Sequence, residues 1–302
     1  MDVQNQMKNC TLCPRKCRVD RLSGEIGFCG MGAEIYAAKS YLHKWEEPCI
    51  SYKNGAGTIF FSGCSLRCRF CQNYKISTEK FGKLVTTEQL SNIILSLQDK
   101  GADNIELVTP THFVPQIIKV LDNIRHKIKI PIVYNSGGYE TIETINMLDG
   151  YIDIYMPDLK YFSPEISQRY SFAPDYFEFA SKATTAMIKQ IGKPLYNNEG
   201  GMLKGIIIRH LVLPGQRHDS IKIMEWIAKN LPLDSILVSI MNQYTPFKFI
   251  SDEFPELKRK VTKMEYNSVV NRAAELGIMG FTQEKASASE IYIPDFDLSG
   301  LA

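Results

Sequence analysis

The sequence predicts an α/β fold with a parallel sheet covered by helices. Three observations lead there. Six short apolar runs recur along the chain, and helical spacing follows most of them. The runs are continuously apolar rather than alternating, as strands buried on both faces require. The 302 residues are 44% hydrophobic and 23% charged, enough for one large α/β domain with an appendage.

Taken in order, the first strand is 58–62, Thr-Ile-Phe-Phe-Ser. Residues 86–100 place Leu90, Ile93, Ile94 and Leu97 at helical spacing, and Thr86-x-x-Gln89 suits a capping box. A strand at 104–109 precedes a helix at about 113–125. A third strand, 131–135, runs into Gly137-Gly138 and a short helix near 140–148. Strand four is 151–157 and the helix at 176–191 follows it. Strand five, 205–213, ends at Pro214-Gly215, where a breaker is expected, and 217–230 is helical. Strand six is 235–241 and the last helix 261–276. Periodicity alone does not separate a flat doubly wound sheet from a barrel. Residues 1–50, rich in cysteine and glycine, form a small separate lobe; 51–277 make the main domain. Residues 278–302 are a tail, with a loop at Ala286-Ser287-Ala288-Ser289 and a packing tether at Ile291-Tyr292-Ile293.

The formal net charge of +2 shows no basic excess that would point to nucleic acid or a membrane surface. The first nine residues lack the apolar core of a signal peptide, and no apolar run approaches the roughly 20 residues of a membrane span. A cytoplasmic, reducing setting is therefore expected, where eight cysteines serve as metal ligands or free thiols rather than disulfides.

Cys64, Cys68 and Cys71 form a C-x3-C-x-aromatic-C run within Gly63-Cys64-Ser65-Leu66-Arg67-Cys68-Arg69-Phe70-Cys71. Iron–sulfur cubanes are normally held by four thiolates, so three leave one iron open to a small ligand. A structural zinc site would want a histidine pair, which does not accompany them. The run resembles the signature of the radical S-adenosylmethionine (SAM) superfamily. That resemblance implies a partial (β/α)6 barrel, a 4Fe–4S cluster on the three cysteines, and SAM on the vacant iron. Reduction then cleaves the sulfonium to a 5′-deoxyadenosyl radical. Chemistry would sit at the C-terminal ends of the strands.

Further segments resemble the glycyl-radical-enzyme activases, in particular a pyruvate formate-lyase activating enzyme-like branch. They are Glu46-Glu47-Pro48, Gly57-Thr58-Ile59-Phe60-Phe61-Ser62-Gly63-Cys64 and Asp153-Ile154-Tyr155-Met156-Pro157-Asp158-Leu159-Lys160-Tyr161. By this resemblance Phe70 lies near the SAM adenine. Asn135, Ser136 and Asp158 stand where activases build a monovalent-cation site, and Lys160 meets the SAM carboxylate. Arg209 either binds SAM or forms a structural bridge. Gln243 or Tyr244 takes the place of a SAM-binding histidine. Where the superfamily has a Gly-Gly-Glu segment, this chain reads Val108-Thr109-Pro110-Thr111-His112. Thr109 and Thr111 can accept from the SAM ammonium. His112 and Tyr244 are candidate catalytic groups, and His112 alternatively caps a helix.

Cys10, Cys13, Cys17 and Cys29 suffice for zinc or a second, saturated iron–sulfur cluster, with a disulfide pair as the alternative. Cys49 reads as a small core residue, with a substrate-facing thiol as the alternative. The resemblance implies a flavodoxin or ferredoxin as electron donor and a glycyl radical enzyme or peptide as substrate. Rival readings are radical SAM modification of another peptide, a nucleoside or a small molecule, and a non-catalytic, metal-stabilised binding protein.

Overall fold

The computed structural model describes residues 3–247, 250–283 and 294–301. In chain order its elements are α1 (Val3–Lys8), β1 (Ile35–His43), β2 (Ala56–Phe61), α2 (Tyr74–Ser77), β3 (Lys83–Val85), α3 (Thr87–Asp99) and β4 (Ile105–Val108). Then come α4 (Val114–Ile124), β5 (Ile132–Ser136), α5 (Ile142–Met147), β6 (Ile154–Pro157), α6 (Pro164–Ser171), α7 (Tyr176–Ile191) and β7 (Leu195–Tyr196). The chain closes with β8 (Met202–Leu211), α8 (Arg217–Asn230), β9 (Leu237–Met241), α9 (Lys263–Glu275) and β10 (Gly280–Thr282).

The six expected strands are β2, β4, β5, β6, β8 and β9. They neighbour one another in that order, all parallel. Every residue of β2, β4, β5 and β6 is buried, which accounts for their unbroken apolar runs. Among the described residues the sheet path is open between β3 and β10, so the barrel is partial.

Two sheet edges differ from the sequence expectation. β1 lies inside the expected 1–50 lobe yet pairs antiparallel with β2, and β3 pairs with β1. A register shift between Ala37 and Lys39 buries both Ala37 and Ala38, which breaks the alternation that would have marked a strand. β10 falls in the expected tail and pairs in parallel with β9. Gly280 carries a φ of 151°, and a Cβ there would meet the Val238 carbonyl oxygen at 1.9 Å, so only glycine lets this strand dock. The expected loop at Ala286–Ser289 and tether at Ile291–Ile293 lie outside the described residues. Beyond them, Phe296 packs its ring 5.4 Å from Phe60, and the Leu298 N–H donates to Ala38.

Helix α3 starts as expected: the Gln89 N–H donates to Thr86 Oγ1 at 3.1 Å, and the Thr86 N–H to Gln89 Oε1 at 2.9 Å. Leu90, Ile93, Ile94 and Leu97 are its buried face. Inside the barrel, one layer is apolar: Ala56, Val133, Ile154 and Ile207, with Cys49 and Ile50 against them. Cys49 is thus a core residue. Thr58, Glu106, Asn135 and Arg209 are polar side chains in these otherwise apolar strands, and they hydrogen-bond to one another.

Candidate active site

Two residues past β2, Gly63 has a φ of 85° that turns the chain into the cysteine loop; a Cβ there would come within 2.8 Å of the Cys29 carbonyl oxygen. Cys64, Cys68 and Cys71 all line a cavity of about 600 Å³. Each sulfur has a nearby donor: the Leu66 N–H to Cys64 at 3.4 Å, the Ser171 hydroxyl to Cys68 at 3.0 Å and the Ser77 hydroxyl to Cys71 at 3.3 Å. Burial, then the neighbouring Cys68, pushes the Cys64 thiol up to about 11; the same causes, with Cys64 added, push Cys71 up to about 12. Lys160 opposes both shifts.

The same cavity is lined by Phe70, Thr109, Asn135, Ser136, Asp158, Lys160, Arg209 and Gln243. Asp158, just past β6, binds Lys160 through one carboxylate oxygen and Arg209 through the other, at 3.2 Å for Arg209. Burial alone would raise the Asp158 carboxyl, yet the Lys160 ammonium and then the Arg209 guanidinium hold it below its ordinary value. Arg209 also donates to Asn135 Oδ1 at 2.7 Å and to Glu46 at 3.3 Å. Asn135 Nδ2 donates to Glu106 Oε1 at 2.6 Å, and Thr58 to Glu106 Oε2 at 2.6 Å. Arg209 is therefore the centre of a buried network, as a charge inside an apolar strand requires. Both Asp158 oxygens and the Asn135 carbonyl oxygen are engaged by these cations.

Thr109 adopts a φ of 58°, in the left-handed region, while its N–H holds the Asn135 carbonyl at 2.8 Å. A β-branched residue there is strained by about 1–3 kcal/mol. Neither candidate catalytic group lines the cavity. His112 is buried beneath the cysteine loop with Nε2 2.7 Å from the Ser62 carbonyl oxygen; burial, then Arg21, lowers its pKa to about 3, so the ring is neutral and donates that bond. Tyr244 is buried with its hydroxyl donating to the Leu257 carbonyl, its ring 6.3 Å from Phe70. Thr111 donates to Glu140 at 2.8 Å, away from the cavity.

Sequence reasoning missed His43, Glu46 and Glu47 as lining residues and Glu106 behind them. Glu106 sits in an apolar strand just as Arg209 does, and that shared oddity is the signal that pairs them. Burial, then Glu106, raises the Glu46 carboxyl well above its ordinary value despite Arg209. Burial, then Arg209, lowers His43 to about 4. His43 is thus a neutral neighbour of Glu46 at 3.8 Å rather than its ion-pair partner.

The N-terminal lobe packs on the cysteine loop. The Cys64 N–H donates to the Cys29 carbonyl at 3.3 Å. Arg15 donates to the carbonyls of Ser65 and Ser171, both at 2.8 Å, and of Phe172. The Phe28 N–H donates to Cys17 Sγ at 3.2 Å. Burial, and then Cys29 and Cys10, pushes the Cys13 thiol up against a hydrogen bond from Arg15. All eight cysteines are free thiols.

Among the described residues, no three histidine, cysteine, aspartate or glutamate side chains converge tightly enough to hold a single metal ion. A cubane spreads its thiolate ligands over separate corners, so three hydrogen-bonded thiols around one cavity fit it better than they fit one ion.

A parallel partial barrel with three thiols at the C-terminal end of its first parallel strand defines a class. Residues 58–227, more than half of the chain, match the Radical SAM superfamily, and the chain belongs to that superfamily. It is 32% identical over 286 residues to MJ0674, an uncharacterized protein of Methanocaldococcus jannaschii, covering 91% of this chain and 77% of that one. A radical SAM methyltransferase from Sphaerobacter thermophilus superposes with a TM-score of 0.52 at 12% identity, over 76% of this chain and 66% of that one. SuiB of Streptococcus suis, solved with S-adenosylmethionine, gives 0.51 at 14% identity, over 73% and 48%. This chain spans just under two thirds of the first solved protein and about half of the second; the likeness is one of fold. Membership implies an enzyme that uses a 4Fe–4S cluster and SAM. Among the described residues no helix is long and apolar enough to cross a membrane.

Proposed function

We propose that this chain holds a 4Fe–4S cluster on Cys64, Cys68 and Cys71 and binds SAM in the adjoining cavity. The observation that carries the reading is the sharing of one cavity by the three thiols and the Asp158–Lys160–Arg209 network. Held by these three cysteines, a reduced 4Fe–4S cluster would supply the one electron that cleaves the SAM sulfonium to methionine and a 5′-deoxyadenosyl radical. Lys160 presents its ammonium to the SAM carboxylate, and Asp158 fixes Lys160 and Arg209 in place. Phe70 offers an apolar wall to the adenine. Thr109, Asn135, Ser136 and Gln243 contribute polar groups around the ligand. The positive charge of Lys160 and Arg209 does the work a monovalent cation would do, so no such ion is invoked. The barrel wall keeps water from the reacting atoms.

Resemblance to the activases supports a finer reading, in which the hydrogen abstracted belongs to a glycine of a partner enzyme. Incubating the reduced protein and SAM with each glycyl radical enzyme of its host should yield a glycyl EPR doublet with one of them. No doublet with any would rule this version out and leave another peptide, a nucleoside or a small molecule as substrate. For the lobe, we propose a metal on Cys10, Cys13, Cys17 and Cys29. A second iron–sulfur cluster would pass electrons from a flavodoxin or ferredoxin toward the active cluster, and the Cys29–Cys64 contact favours that role. Zinc, a single ion, would need these sulfurs to draw closer together than they stand among the described residues, and would serve only to fold the lobe.

A further inference from the structure

The cavity has an end that the SAM reading does not use. Glu46 and Glu47 line it beside His43 and Trp45. Glu47 is 8% exposed, and among the described residues its Oε2 has no hydrogen-bond partner. A buried carboxylate without a partner is costly, by several kcal/mol for an ion. Among the described residues the cations lining the cavity are Lys160 and Arg209. Lys160 binds Asp158, and Arg209 binds Asp158, Glu46 and Asn135. Glu47 therefore lines the cavity with one carboxylate oxygen unpartnered among the described residues, in a cluster where Glu46, Glu47, Glu106 and Asp158 share the two cations Lys160 and Arg209.

We propose that this end of the cavity binds the protonated amine of an alkylammonium-bearing substrate, with Glu47 as its counter-ion and Glu46 beside it. The inference rests on the reading of the cavity as a SAM-dependent active site and names the substrate class for it. An entering ammonium completes the hydrogen bonding of Glu47 and offsets its desolvation. Trp45, 65% exposed, lines the same cavity and can report on it by its emission. Among the described residues no three ligating side chains converge there to hold a bare metal ion.

Trp45 and Trp226 are the two tryptophans of the chain, so Trp226→Phe leaves Trp45 as a reporter. In that background, with cluster reconstituted and SAM saturating, n-butylammonium chloride should change the Trp45 emission saturably. Sodium chloride at equal ionic strength and n-butanol should not. Glu47→Gln should raise the apparent Kd at least tenfold. Equal responses to butanol and butylammonium, or an unchanged Kd in Glu47→Gln, would overturn the proposal. If Glu47→Gln does not fold, the comparison of butylammonium with butanol decides alone. Displacement of butylammonium by SAM would assign the pocket to the SAM ammonium and also overturn it. The titration run without SAM reads the amine pocket even if SAM is never cleaved, so the two readings can fail separately.

Discussion

Glu140 is 1% exposed on the turn after β5, with Thr111 and Tyr134 donating to its two oxygens at 2.8 and 3.3 Å. Burial raises its carboxyl to about 7 in spite of those bonds. A folded-state value above the unfolded one means the folded protein binds the proton more tightly. The stability this contributes is full below about pH 4.5 and is lost as pH rises through about 7. Glu140→Gln should remove that dependence: the stability of the native chain relative to the variant should fall by about 3 kcal/mol between pH 5 and 8. Urea unfolding of both proteins across that range checks it. At this scale the sequence disclosed the cysteines and the polar residues after each strand, because chemistry and spacing stand out in isolation. Glu106 was harder to read: its place in an apolar strand is the one signal, and a lone glutamate in Ile-Glu-Leu-Val reads equally well as solvent-facing. Only the register that sets Thr58 opposite Glu106 shows it pointing at Asn135 and the Arg209 network. His112 stood out for being a histidine, but its place under the loop depends on tertiary packing.

Helix α9 shows how an element is anchored. Its Thr262–Glu265 capping box is reinforced by Arg259, which donates to both Glu265 oxygens at 2.7 and 2.8 Å, and by the Gly215 N–H at 2.7 Å from the β8–α8 turn. Arg259, then the backbone donors, holds the Glu265 carboxyl far below its ordinary value although burial opposes them. Here the sign is reversed: the stabilisation is present above the unfolded value near 4.5 and lost as pH falls through the folded one. Glu265→Ala should cost about 2 kcal/mol at neutral pH, and the difference should shrink in acid. Thermal melts at pH 7 and pH 3 measure both. The parallel strands and α3 were legible because continuous apolar runs and a capping box are local signals. β1 and β10 were not, one because a bulge disturbs its alternation and the other because three residues carry no period.

Across the whole molecule, the N-terminal lobe and the barrel meet at the cysteine loop. Arg15 bridges them, its guanidinium 4.0 Å over the Phe28 ring while it donates to three carbonyls of the loop and α6. Arg15→Ala should loosen that loop by about 3 kcal/mol. Iron should then leave the reconstituted protein severalfold faster under a chelator, and an unchanged rate would mean the lobe does not brace the cluster site. The contact joins residues 50 apart and was invisible to spacing arguments. The central claim concerns the three thiols and the cavity they share with Lys160 and Arg209. Its most direct test is anaerobic reconstitution with iron and sulfide, reduction with dithionite, addition of SAM, and assay of 5′-deoxyadenosine beside EPR. The account predicts a 4Fe–4S signal perturbed by SAM, with 5′-deoxyadenosine formed by the native chain and none by Cys64→Ala, Cys68→Ala or Cys71→Ala. An intact cluster that neither binds nor cleaves SAM would contradict it and point to a non-catalytic protein, with the strained Thr109 as the first position to change.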